Sequence, residues 1–153
     1  MNKLFSAVLF TVVSFFCNAQ YQDILPAAER GDAFSQMVMG KAYYSGSGIE
    51  KNYTKAFFMF EAAAKQNEKA AQCGLASCYE NGYGVQQSYA KAFFWYKKSA
   101  EQGFTKAQYE VGKAYYLGRG CEKNNDLAII WLRRACDNTS DEACNLLNEI
   151  NSK

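Results

Sequence analysis

The chain has 153 residues, 49% of them apolar and 16% aromatic, with a formal net charge of +2 and no histidine. That length suits one domain, and the near-balanced charge leaves no electrostatic footprint for nucleic acid or an anionic membrane. The missing histidine removes Ser-His-Asp and Cys-His catalysis and histidine-ligated metals.

Residues 1–19 differ from the rest. Asn2 and Lys3 make a short polar, positive start, and Leu4 to Phe16 is an apolar run broken only by Ser6, Thr11 and Ser14. Cys17-Asn18-Ala19 then places small residues at the −3 and −1 positions of a cleavage site. The pattern reads as a secretory signal peptide cut before Gln20, since the run is too short to span a bilayer comfortably. A lipid anchor on Cys17 is the alternative, opposed by Phe15 and Phe16, which stand where such a signal needs small residues. Export would leave Cys73, Cys78, Cys121, Cys136 and Cys144 in an oxidising compartment. There disulfides are favoured over a metal site or a catalytic thiol, with one cysteine left over.

A 36-residue period organises the remainder. Tyr43, Tyr79 and Tyr115 obey it, as do Gly46, Gly82 and Gly118; Gly48, Gly84 and Gly120; and Ala56, Ala92 and Ala128. A fixed period in this range signals a stacked repeat array. Residues 21–31 form a leading helix, because Ala27-Ala28-Glu29-Arg30-Gly31 matches Ser99-Ala100-Glu101-Gln102-Gly103. Three full units follow, 33–68, 69–104 and 105–140.

Each unit opens with a helix whose apolar and small residues recur at i, i+3 and i+4, as in Val111, Gly112, Ala114 and Tyr115. A Gly-x-Gly triplet ends it, glycine adopting the left-handed cap conformation cheaply. Asn52, Ser88 and Asn124 then start a second helix as N-caps. Residues 141–150 match a first-type helix without its tyrosine or triplet and form a terminal cap. The expected fold is therefore all-α, an α/α solenoid of eight helices whose units bury their apolar faces against one another.

The string Ala107-Gln108-Tyr109-Glu110-Val111-Gly112-Lys113-Ala114-Tyr115-Tyr116, followed by Gly118, Gly120, Ala128, Trp131 and Ala135, resembles the Sel1-like repeat. So does Gly82-Tyr83-Gly84-Val85 with Lys91-Ala92-Phe93-Phe94-Trp95-Tyr96. The resemblance covers nearly the whole chain after residue 19. It implies a right-handed superhelix of paired antiparallel helices, related to tetratricopeptide repeats, in proteins that serve as adaptors or scaffolds. The stretch from Ala135 and Cys136 to Ala143 and Cys144 is similar to the cysteine-rich secreted members. There a cysteine closing one helix pair bonds another eight positions later, so the resemblance implies a Cys136–Cys144 disulfide.

By the tetratricopeptide analogy, first-type helices line a concave groove. Its residues would be Met37, Lys41, Tyr44, Cys73, Glu80, Tyr109, Lys113 and Tyr116, with Phe34, Ser77 and Leu117 beside them. Tyrosine and lysine together suit an extended peptide or acidic segment. Half-buried aromatic packing between helices is the competing reading of the same positions. Cys73 aligns with Met37 and Tyr109 and is expected to be a free thiol facing the groove. Cys78 and Cys121 are either two small buried thiols or a second disulfide. Ser88-x-x-Lys91 matches the serine β-lactamase tetrad, but Ser88 aligns with the caps Asn52 and Asn124, and no Ser-Asp-Asn or Lys-Thr-Gly partner exists. The expectation is an exported, monomeric, non-enzymatic protein that binds a protein or peptide without cofactor, metal or nucleic acid. The alternative is a β-lactam or cell-wall-peptide binding or hydrolysing protein.

Overall fold

A computed structural model describes residues 21–152. The signal-like run and the cleavage site before Gln20 lie outside these residues. Eight helices make up the described part: α1 (Ile24–Glu29), α2 (Ala33–Ser45), α3 (Tyr53–Lys65), α4 (Lys69–Asn81), α5 (Tyr89–Glu101), α6 (Thr105–Leu117), α7 (Asn125–Asp137) and α8 (Asp141–Asn151). No strand occurs among the described residues, and no described helix is long and apolar enough to cross a membrane.

Local chemistry sets the ends of these helices. The side chains of Asn52, Ser88 and Asn124 accept the backbone N–H of Lys55, Lys91 and Leu127, at 2.9, 3.3 and 2.9 Å. Asp32, Glu68 and Ser140 do the same for α2, α4 and α8. Only α6 among the helices of a full unit lacks such a bond, with Phe104 at its cap. First-type helices close on Gly46, Gly82 and Gly118, whose φ values of 74°, 71° and 69° are left-handed.

The second glycine of each later triplet has another task. A Cβ on Gly84 would run into the backbone of Tyr53 and Thr54, and one on Gly120 into that of Tyr89 and Ala90. The triplet therefore ends one helix and also lets its turn lie on the start of the second helix in the preceding unit. Beneath it, the amides of Asn52, Ser88 and Asn124 donate to the carbonyls of Tyr43, Tyr79 and Tyr115, at 2.9, 2.8 and 2.9 Å. One backbone bond per unit thus ties the periodic tyrosine to the next helix cap.

Small residues fill the centre of the stack. Ala56, Ala92 and Ala128 are almost wholly buried, as are Ala71, Ala107 and Ala143. Phe60 lies so close to Gly40 and Gly74 that a Cβ on either glycine would overlap its ring, and Leu132 occupies the same relation to Gly112. One cluster runs from Met37 to Trp131, and a second, built on Leu132, Ala135, Ala143 and Leu147, joins α8 to the end of the stack. Beyond sequential neighbours, α2 also packs directly on α4.

A glutamine clamp joins the units. Gln36, Gln72 and Gln108, all buried, donate to the carbonyls of Ala28, Ala64 and Ala100, eight residues earlier in each case. Their side-chain oxygens accept in turn from Gln66, Gln102 and Asn138 at 2.9, 2.8 and 3.1 Å. At the next step of the period the pair is Cys136 and Cys144. These are joined as a disulfide, with Cα atoms 4.9 Å apart. A covalent bond stands where the earlier units use a side-chain amide on a carbonyl.

Candidate functional site

The first-type helices α2, α4 and α6 present one side of the stack. Their positions divide by depth. Met37 and Cys73 are buried, 7% and 4% exposed, so neither offers the open surface expected of them. Lys41 is exposed, while Tyr44, Ser77, Glu80, Tyr109, Lys113 and Tyr116 are half-buried.

The half-buried side chains among these each have a structural partner. The hydroxyls of Tyr44 and Ser77 share a hydrogen bond of 3.3 Å. Tyr44 meets Tyr53 and Tyr83 edge-on, and those two rings stack with centroids 4.2 Å apart. At the equivalent junction one unit later the residues are Glu80, Tyr89 and Arg119. The Arg119 guanidinium lies 5.8 Å over the Tyr89 ring. Glu80 turns to Tyr96, whose buried hydroxyl donates to its carboxylate at 2.9 Å. Burial first, and the nearby Glu80 charge second, hold the Tyr96 hydroxyl far above its ordinary pKa.

Lys113 bonds Glu110 at 2.6 Å and lies 5.2 Å over the Tyr109 ring. Partial burial pulls its pKa down, but the Glu110 hydrogen bond and charge outweigh that and leave it raised. Lys123 approaches the Tyr116 ring at 5.7 Å. Between Glu80, Tyr96, Glu110 and Lys113 lies a hollow of about 10 Å³, room for one water. Two wider depressions flank it. One of about 550 Å³ is bordered by Lys106, Tyr109, Glu110 and Asn138. The other, of about 470 Å³, has Phe34 and Lys41 at its rim and Met37 at its floor.

The cysteines separate by environment. Cys73, Cys78 and Cys121 are thiols, so the candidate Cys78–Cys121 bridge is not formed. Cys78 lies wholly buried within α4, whereas Cys121 sits half-exposed in the turn between α6 and α7. Burial pushes the Cys73 and Cys78 thiols up to about 12, and also raises Cys121. At neutral pH none is poised as a thiolate nucleophile or ligand. Among the described residues no group of three or more acidic, histidine or cysteine side chains could hold a metal. Ser88 and Lys91 are also occupied: the serine hydroxyl caps α5, and the lysine ammonium lies 5.3 Å over the Tyr79 ring.

Sequence reading missed Tyr96 as the partner of Glu80 and missed the Tyr53–Tyr83 stack. For the stack, a signal was present in the period. Tyr53 precedes Tyr89 by 36 and Tyr83 precedes Arg119 by 36. Tyr83, however, is the middle residue of a triplet read only as a terminator.

Comparison with known proteins gives the lineage. No curated protein sequence matched the chain. The chain is similar to a protective antigen of uropathogenic Escherichia coli with an SLR fold, at 30% identity and TM-score 0.81, covering 84% of this chain and 28% of that one. A Sel1 repeat protein from Oxalobacter formigenes is 33% identical with TM-score 0.73, over 76% of this chain and 47% of that one. The chain thus spans less than half the length of these two. Cysteine rich protein B of Helicobacter pylori, at 26% identity and TM-score 0.68, is covered over 96% of its length and 88% of this one. A family model for the Sel1 repeat matches residues 33–68, 69–104 and 105–140. With that match over most of its length, the chain belongs to the Sel1 repeat family.

Proposed function

We propose that the protein is an exported adaptor that binds a protein or peptide along the side formed by α2, α4 and α6. Sel1 repeats are protein-interaction modules, and the observation that supports this face is its run of half-buried tyrosines and lysines between two depressions. Tyr44, Tyr109 and Tyr116 each keep part of the ring in the stack and part in solvent, so a ligand meets rigid aromatic surface at little entropic cost. Lys41, Lys106 and Lys113 add positive charge beside them, which suits an extended segment with acidic groups. The Cys136–Cys144 disulfide supports an oxidising compartment, periplasmic or extracellular. The β-lactam reading gains no support, because Ser88 and Lys91 serve the cap and a ring contact.

Pull-down from a native envelope fraction tests the reading. Wild-type protein should retain a partner that Tyr44→Ala, Tyr109→Ala and Tyr116→Ala together release. Identical partner profiles for the two proteins would reject this face as the binding site.

A further inference from the structure

The other side of the stack carries a feature that the family match does not assign. Phe58, Phe94 and Ile130 are 59%, 52% and 46% exposed. They are 36 residues apart and sit at the same position of α3, α5 and α7. A single exposed apolar side chain is ordinary; the same outward position filled three times by a large one is a ladder.

Charge is gathered around it. Residues 21–152 hold fifteen basic and fifteen acidic side chains, hence no net charge. Yet α3, α5 and α7 carry seven lysines and arginines against four acidic groups. The excess lies beside the ladder: within one turn of its three residues stand Lys55, Lys91, Lys97, Lys98, Arg133 and Arg134 against Glu61 and Asp126. Lys98 even lies 4.9 Å over the Phe94 ring. The overall balance, which showed no footprint for an anionic membrane, conceals a face that has one.

We infer that the face of α3, α5 and α7 docks peripherally on an anionic phospholipid bilayer. Its basic rim complements acidic headgroups, and its apolar side chains enter the acyl boundary. The shape favours this over a folded partner. The depressions at α2 and α6 border the first-type helices, and none of Phe58, Phe94 and Ile130 lines them. A fluid apolar phase accepts projecting side chains with no matching pocket, and lysine and arginine stems reach back to the headgroups. This docking is independent of the peptide-binding side.

Vesicle flotation of the full chain, as recovered from an expressing cell, decides the matter. The protein should float with vesicles of phosphatidylcholine and phosphatidylglycerol, fail to float with phosphatidylcholine alone, and dissociate as salt is raised. Phe58→Ser, Phe94→Ser and Ile130→Ser together should weaken flotation by about tenfold or more at unchanged helical content. A second variant, Lys91→Gln with Lys98→Gln and Arg134→Gln, should weaken it while leaving the ladder intact. No flotation of wild type, or equal flotation of wild type and the serine variant, would overturn the inference. So would a wild-type dimer, or a co-purifying acidic protein, that the serine variant loses without either protein binding vesicles.

Discussion

Cys73 and Cys78 are both buried although they lie on different sides of one helix. Both lie in α4 with thiols whose pKa burial raises to about 12 from an ordinary 9.0. The unfolded chain therefore loses these protons first as pH rises. Stability from the neutral thiols is fully present below about pH 9 and declines from there as pH climbs towards 12. Urea midpoints measured across this range should be level near neutrality and then fall. Cys78→Ala, which restores the alanine found at 42 and 114, should flatten part of the decline; an unchanged slope would contradict the assignment. The period aligned Cys73 with Tyr109 and Met37. It could not show depth. A long tyrosine reaches past its neighbours into solvent, whereas the thiol stops below them, and Met37 folds down to the floor of its depression. The partners of Glu80 lay beyond pattern reading for another reason, since Tyr96 comes from a different helix and meets it only after packing.

At the scale of the element, caps and helix faces were the most legible part of the fold. Asn52, Ser88 and Asn124 bind the amide three residues on, as their types require. The glycines were only half legible. Their terminating role follows from local conformation, but the packing of Gly84 and Gly120 on the preceding unit is a tertiary demand with no local trace. The two roles can be separated experimentally. Gly103 has φ of +79° and open space at its Cβ, so Gly103→Ala should cost only the conformational penalty, about 1–2 kcal/mol. Gly84→Ala, with similar φ and the Tyr53 backbone in the way, should cost upwards of about 3 kcal/mol. Equal losses in denaturant unfolding would show that the contact between units contributes nothing.

Across the whole molecule, nearly every contact joins a helix to its immediate neighbours in the stack. Such an array opens from its ends rather than all at once. The C-terminal end has the smaller core cluster and is held by Cys136–Cys144. Breaking that bond by reduction, or by Cys136→Ser with Cys144→Ser, should lower stability by roughly 2–3 kcal/mol on the loop-closure account. Amide exchange should then speed up first in α8 and least in α4 and α5. Uniform acceleration would mean that the chain unfolds as one unit. The stacked architecture itself was plain in the sequence, because one period carries caps, core alanines and terminators alike.

The clamp between units also bears on how such a chain can grow. At the junctions following residues 68 and 104 the same parts recur: an alanine carbonyl, a buried glutamine and an acceptor thirty residues apart from its donor. A copied unit spliced at 104 would bring with it both halves of the fastening it needs on either side. A unit spliced at 140 would find the Cys136 carbonyl in place of an alanine carbonyl, a backbone acceptor of the same kind, and would bring a third cysteine to the Cys136–Cys144 bridge. The array is thus extensible at each of these junctions, and at 140 the added unit would make two cysteines compete for one partner.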